Sequence, residues 1–363
     1  MRYIVVLLSL LLQFATAQNN TTTSSFELSF FRGNVMPHTP DLYHLQGHPE
    51  GVVFNYNLQI HGQEEWHKAY NYPSYGAYLM YQDFNNRFLG HSWAAGGYYD
   101  FAFFFPRLTV KTAAGLAYMN QPYDKVTNSK NKAFGSTLLA NINIGLQYRQ
   151  PFFQNRMGLT AGLLFTHYSN GRSKSPNSGI NTYGINLGLT CNLEKSTPIN
   201  TPDTLRLRTN YREKLHYNMV FRTGFNESSV INSGRHPLYH LGAYIDKRLS
   251  RKSGVQLGAD VFLTQSFKDF IKYKSAAFPD ANIDPNTDYK RAGVFVGYEL
   301  YINRMSLEAQ VGYYFYDPLK NEIPVYDRIG MKYYWTSKVF SALSLKTHMF
   351  LAEAIEFGIG LRL

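Results

Sequence analysis

The feature that most constrains this chain is a period-two alternation of apolar and polar residues, repeated in segments of about ten residues. In one such segment Leu159 and Leu163 fall on one face, while Thr160 falls on the other. A strand of this length tilted by about 45° spans a bilayer, whereas strands of soluble sandwiches are usually about five or six residues long. The non-apolar face is rich in Gly, Thr, Asn and Gln, which is typical of the lumen of a membrane barrel. The same pattern recurs at 182–191, 255–264, 307–315 and 355–363.

The fold class follows from what the bilayer permits. After the N-terminus no apolar run is long enough for a transmembrane helix, and closed barrels are the other architecture that satisfies every backbone group in lipid. We count about 16 candidate strands, and because the two before residue 61 are the weakest, 14 stays open. We therefore predict an all-β fold, a single antiparallel transmembrane β-barrel with an even number of about 14–16 strands. Short turns alternate with long loops, but connections 61–74 and 193–211 are long on the short-turn side.

The N-terminus predicts export. Arg2 precedes an apolar stretch at 4–12, and Ala15 and Ala17 form a small-residue cleavage site, which together are typical of a signal peptide. We expect a signal peptide at 1–17, a barrel at 18–363 and a location in the cell outer membrane. The single cysteine excludes internal disulfides. The net charge of +11 in an exported chain with no basic helix does not predict a nucleic-acid partner.

One segment, residues 165–184, carries groups suited to chemistry. The period of two places His167 and Ser169 on the same face as Leu163, which is the face turned to lipid. On the next strand Asn181 falls on the corresponding face, so the three side chains are expected to converge near the top of a hairpin. The alternative is that the strand has already ended and that both polar residues lie in a solvated loop.

Ester cleavage needs such a set of groups. A serine hydroxyl such as that of Ser169 becomes nucleophilic when a base takes its proton, and His167 could be that base, with its tautomer fixed by a third group. Residues two apart in a strand lie roughly 6–7 Å apart at Cα, close enough for their side chains to touch. We expect N–H groups of Asn170 and Gly171 to stabilise the oxyanion.

The segment resembles the PagL-type lipid A 3-O-deacylases, also grouped as acyloxyacyl-hydrolase-like outer-membrane proteins. The resemblance implies an outer-membrane serine esterase that removes an acyl chain from lipid A, with Ser169 as nucleophile, His167 as base and Asn170 in the oxyanion hole. It also implies lipid A or lipopolysaccharide as the partner, and we expect neither a cofactor nor a metal. The likeness is carried by residues 167–171, Pro176, Asn177 and 179–181, with weaker likeness over about 105–193, where the run at 123–136 resembles longer members of the family.

The chain departs from that family at one position. The family's triad acid is a glutamate, and Asn181 stands in its place. A comparable change from acid to amide costs about 10⁴ in kcat in serine proteases. Three interpretations stay open: a slow enzyme, another carboxylate such as Asp124 acting as the acid, or Asn181 orienting His167 through its carbonyl oxygen.

Two other functions compete with the hydrolase. A passive pore would be lined by acidic residues of the later strands, Asp260, Glu299, Glu308 and Glu356. A catalytically inactive barrel would keep only lipid binding. The sequence also leaves a homodimer open. Histidines of the early loops, among them His38, are expected to be solvated, and the spacing of His61 and His67 does not predict a metal site.

Overall fold

The computed structural model describes residues 22–62, 64–103, 107–194, 213–349 and 351–363. The predicted signal peptide at 1–17 lies outside these residues. Within them, the helices are too short or too polar to cross a membrane.

The described residues form sixteen antiparallel strands, most of them with the alternating burial that the sequence predicts. Two α-helices and two short 3₁₀ helices, Pro40–Leu45 and Pro279–Ala281, lie in the connections. The α-helices are α1 (Glu65–Ala69) and α2 (Ser266–Ala277). The strands are β1 (Thr22–Met36), β2 (Glu50–Ile60), β3 (Ser74–Asp83), β4 (His91–Ala102), β5 (Leu108–Met119), β6 (Leu138–Phe152), β7 (Met157–Ser169), β8 (Ile180–Asn192), β9 (His216–Asn226), β10 (His236–Arg248), β11 (Ser253–Thr264), β12 (Arg291–Ile302), β13 (Met305–Tyr316), β14 (Val325–Tyr334), β15 (Val339–His348) and β16 (Leu351–Arg362).

Among the described residues these strands close into two barrels of eight, because β1 pairs with β8 and β9 pairs with β16. The predicted all-β barrel class and the even strand number are confirmed, but two barrels stand where one was expected. Period-two alternation assigns each residue to the inner or outer face and is silent on which strands meet at closure. The long connection near 193–211, which lies mostly outside the described residues, comes between β8 and β9 in the sequence.

The bore of the second barrel is filled by paired charges. Arg328 is fully buried and donates to Asp260 at 2.8 Å and to Glu356 at 2.8 Å. Lys332 is also fully buried and lies 2.8 Å from Glu308. An eight-stranded barrel is just wide enough for its side chains to fill, so acidic residues expected to line a channel are instead neutralised inside a packed core.

The first barrel is filled in two zones. Towards its middle, the buried Glu27 pairs with Lys111 at 3.4 Å and accepts a hydrogen bond from Asn55 at 3.0 Å. The end that carries the longer loops, here called the outer end, holds an apolar cluster that includes Phe84 and Phe134. This cluster gives the outer loops a rigid base.

The two barrels contact each other near the inner end, which is the end opposite the longer loops. The hydroxyl of Tyr70, which follows α1, donates to the carbonyl of Tyr301 at 2.6 Å. Glu65 of α1 pairs with Arg251 of the second barrel. The unexpectedly long connection at 61–74 therefore contains a short helix that contacts the neighbouring barrel.

Because paired side chains occupy both bores, we expect the purified protein to give no stable conductance steps in planar bilayers. An open porin measured at the same protein concentration is the positive control. Ohmic conductance steps that scale with the amount of protein would contradict the filled bores and support the passive-pore function.

Candidate active site

The register of β7 and β8 places two of the predicted site residues side by side. His167 lies directly opposite Asn181, and such cross-strand neighbours have Cβ atoms about 4.5–5.5 Å apart. Between His167 and Ser169, Tyr168 points inward, fully buried, with its hydroxyl donating to Gln82 at 3.0 Å. Since alternate residues face opposite sides, this buried tyrosine directs His167 and Ser169 to the outer wall.

A chain of hydrogen bonds fixes the histidine. His167 Nδ1 lies 2.6 Å from Asn181 Oδ1, and Asn181 Nδ2 lies 3.3 Å from His38 Nδ1. His38 Nε2 lies 2.9 Å from the carbonyl of Ser178. A carbonyl can only accept, so neutral His38 carries its proton on Nε2 and takes the amide hydrogen of Asn181 on Nδ1. The amide oxygen then faces His167, whose proton lies on Nδ1 and whose Nε2 is left as a base.

His38 was predicted to be a solvated loop residue, and sequence reasoning missed its contact with Asn181. It is exposed, but it follows β1, whose Met36 pairs with Asn181 across the barrel seam. Only the closure of β1 against β8 makes this contact, which spans 143 residues of sequence. A local pattern could not have revealed it.

The nucleophile candidate, Ser169, is buried beneath the loop between β7 and β8. Its Oγ accepts hydrogen bonds from the Gly171 N–H at 3.0 Å and from Asn177 Nδ2 at 2.9 Å. The structure therefore brings Asn177, to which the sequence assigned no role, into direct contact with Ser169. In this arrangement the hydroxyl is turned towards Asn177 and Gly171.

Asn170 has a different environment from the one expected for an oxyanion donor. Its backbone N–H donates to Asn177 Oδ1 at 2.9 Å. Its side-chain amide donates to the Lys174 carbonyl at 2.8 Å and to Ser136 Oγ at 3.0 Å. These bonds brace the loop, so the N–H groups nearest the Ser169 oxygen belong to Gly171 and Asn177.

Asp124, the predicted substitute acid, lies in the loop between β5 and β6. Its Oδ1 accepts hydrogen bonds from the N–H groups of Thr127 at 2.7 Å and Val126 at 2.9 Å. These donors, Thr127 first, hold the pKa of the Asp124 carboxyl below its usual range. The carboxylate is thus engaged by its own loop, and the atom beside His167 is the amide oxygen of Asn181.

The same loop supports the site by its backbone. The N–H of Gly179 donates to the Ala133 carbonyl at 2.8 Å. Gly179 has φ +72°, and a Cβ there would lie 3.0 Å from His167 Cε1 and 3.2 Å from the Tyr168 carbonyl. The imidazole therefore packs against a position that only glycine fills without strain.

Two family models match the chain: one covers β2 to β8 of the first barrel, and the other covers the second barrel. Residues 50–190 match the model described as lipid A 3-O-deacylase (PagL), and residues 215–363 match the acyloxyacyl hydrolase C-terminal domain. No curated protein matches the chain.

Solved structures similar to the chain are outer-membrane proteins of low identity. Omp33 of Acinetobacter baumannii has 7% identity over 95% of this chain and 99% of its own, with a TM-score of 0.20. OccAB3 of the same organism has 8% identity over 95% and 99%, with a TM-score of 0.21. A mutant of the Rh. blastica porin has 10% identity over 94% and 100%, with a TM-score of 0.20. Likeness at this level carries no functional information.

Substitution of Gly179 by Ala should displace the His167 ring. The positive φ alone costs about 1–2 kcal/mol for a residue with a Cβ, and the methyl group also meets the imidazole. The imidazole NMR signals of His167 should shift. The urea concentration at the midpoint of unfolding should fall. The matched control is Gly145→Ala on β6, where the nearest atom to a new Cβ is 3.6 Å away. Equal spectra for the two variants would contradict this packing.

Proposed function

The chain belongs to the lipid A 3-O-deacylase (PagL) family and carries the acyloxyacyl hydrolase C-terminal domain, and from this premise we propose that it is a serine esterase acting on lipid A. Its reaction would release the acyl chain esterified at the 3-O position that the family's name specifies. The observation that carries the proposal is the hydrogen bond between Asn181 and His167, because it leaves Nε2 of an outward-facing imidazole free as a base.

The chain is an outer-membrane protein of a hydrolase family, and the predicted location is confirmed. Both barrels expose aliphatic side chains on their outer walls, among them Leu163, Ile185, Val296 and Ile359. In the proposal, a substrate anchored in the outer leaflet approaches His167 and the buried Ser169 from the hydrocarbon side. The proposed reaction follows from that placement.

In the proposed first step the Ser169 hydroxyl turns from Asn177 towards His167 and attacks the ester carbonyl. His167 Nε2 takes the hydroxyl proton as the new C–O bond forms. When the tetrahedral intermediate collapses, the bond to the sugar oxygen breaks and His167 returns the proton to that leaving oxygen. Water then cleaves the acyl-enzyme by the same base catalysis and releases the fatty acid.

Two donors are available for the oxyanion. In the resting arrangement the Gly171 N–H and Asn177 Nδ2 both point at Ser169 Oγ. Rotation of the hydroxyl towards His167 releases both donors, which then face the carbonyl oxygen of the bound ester. One such donor is worth about 10²–10³ in kcat in serine proteases, so Asn177 is as important to the proposal as Gly171.

Asn181 would hold the histidine in its working tautomer without a charge. A carboxylate would also stabilise the imidazolium that forms in the transition state, which an amide does only by its dipole. We therefore propose an enzyme slower than relatives that carry glutamate, with His38 ensuring that the amide presents its oxygen to His167. Asp124 has no part in this mechanism.

The direct test is mass spectrometry of lipid A from cells with and without the protein. The wild type should remove one ester-linked acyl chain, and Ser169→Ala and His167→Ala should remove none. Ser25→Ala, at the inner end of β1, is the matched serine control and should behave as wild type. Lipid A left intact by the wild type would overturn the hydrolase. In that case, equal binding of the wild type and of Ser169→Ala to lipid A vesicles would support the inactive lipid-binding barrel.

A double-mutant cycle tests the role of Asn181. Asn181→Asp should raise kcat at least tenfold, because a carboxylate of the same shape stabilises the imidazolium. His38→Ala should lower kcat in the wild-type background by about five- to tenfold, the equivalent of one hydrogen bond.

The same His38→Ala change should have little effect in the Asn181→Asp background, since both carboxylate oxygens accept and no amide orientation has to be chosen. The measurement is kcat on lipid A in detergent micelles for all four proteins. An equal loss in both backgrounds would contradict the proposed orientation of the amide.

A further inference from the structure

The loop that carries the proposed oxyanion donors is attached to the second barrel. Residues 170–179 connect β7 and β8, and at their centre the Ser175 N–H donates to Glu227 Oε2 at 2.6 Å. The N–H of Glu227 in turn donates to the Arg172 carbonyl at 2.9 Å. Glu227 follows β9, so two hydrogen bonds tie the loop of one barrel to a single residue of the other.

Glu227 is itself held in a defined position. It is only 3% exposed, and its second oxygen, Oε1, accepts the Gly234 N–H at 3.1 Å. The neighbouring Ser228 carbonyl accepts a hydrogen bond from Ser175 Oγ at 2.6 Å. A buried carboxylate with both oxygens bonded is a rigid anchor, and its removal leaves the N–H groups of Ser175 and Gly234 without this acceptor.

The wall of the second barrel also supports the loop by packing. Gly171 has φ +61°, and a Cβ there would lie 2.3 Å from Ile355 Cγ1 on β16. The peptide whose N–H points at Ser169 therefore lies directly against the second barrel.

The loop transmits this anchorage to Ser169 over a short distance. The Lys174 carbonyl, adjacent to Ser175, accepts the side-chain amide of Asn170 at 2.8 Å. Asn170 in turn donates its backbone N–H to Asn177, whose amide contacts Ser169. A displacement at Ser175 therefore moves both oxyanion donors relative to the nucleophile.

We propose that Glu227 of the second barrel is a positioning residue for the active site of the first, so that the second barrel completes the site. This inference rests on the proposed deacylase function. In this proposal the role of the C-terminal barrel is to hold residues 170–179, which carry the proposed oxyanion donors, over Ser169.

The test compares Glu227→Ala and Glu227→Gln in the full-length protein. On lipid A micelles, Glu227→Ala should lower kcat by about 10- to 100-fold, within the range for a misplaced oxyanion donor, with KM within twofold of wild type. Glu227→Gln keeps an oxygen for the Ser175 N–H and should recover part of the loss. Asp280→Ala, at an exposed position of the second barrel, is the acidic control and should match wild type.

A second measurement needs no catalysis. In the inactive Ser169→Ala background, Glu227→Ala should speed amide hydrogen exchange at 171–178 at least tenfold, while β7 and β8 exchange as before. Heat-modifiable migration in gels checks that each variant is folded. If Glu227→Ala does not fold, Glu227→Gln and Ser175→Ala carry the test. The first changes the side chain that accepts the Ser175 N–H, and the second removes the hydrogen bond from Ser175 Oγ to the Ser228 carbonyl.

The outcomes separate the two proposals. If the wild type cleaves lipid A and folded Glu227→Ala has a kcat within twofold of it, the positioning role is overturned and the deacylase stands. If the wild type cleaves nothing, the deacylase fails, and unchanged exchange at 171–178 would show that Glu227 does not hold the loop either.

Discussion

Every feature of this molecule depends on one constraint: in hydrocarbon each backbone N–H and C=O must be paired, so the strands must close on themselves. Closure of β1 on β8 and of β9 on β16 meets that requirement twice. Once a strand is fixed in a closed barrel, its residues alternate between bore and membrane except at register shifts such as the one at Lys346. The buried Tyr168 and the outward Ser169 are consequences of the same rule.

An amide in place of an acid suits the surroundings of this site. His167 lies on a wall that faces lipid, where an unpaired carboxylate carries a solvation penalty of several kcal/mol. Asn181 presents an oxygen to His167 and a hydrogen to His38, so both ends of its amide are satisfied without charge. In the proposed mechanism this arrangement gives up charge stabilisation of the imidazolium and keeps His167 oriented as the base.

How much of this could be read from the sequence depends on the range of the interactions involved. The strands, their outward faces and the place of His167 and Ser169 follow from alternation, which is local. The number of barrels does not, because alternation is the same for one closure or two. The contacts of His38 with Asn181 and of Glu227 with Ser175 join distant parts of the chain, and the contact of Asn177 with Ser169 depends on how a loop folds. The one sequence sign of a second barrel was the long connection near 193–211.

The packing of Ile355 against Gly171 affects how molecules in the membrane plane can approach this site. It places a side chain of the second barrel beside the loop that covers Ser169, so one flank of this serine is occupied by protein. On the remaining flank the exposed side chains of Ile142 and Leu163 form an apolar approach along the first barrel. If lipid A is the substrate, as proposed, it approaches Ser169 along the first barrel only, with its tails in one orientation relative to the serine.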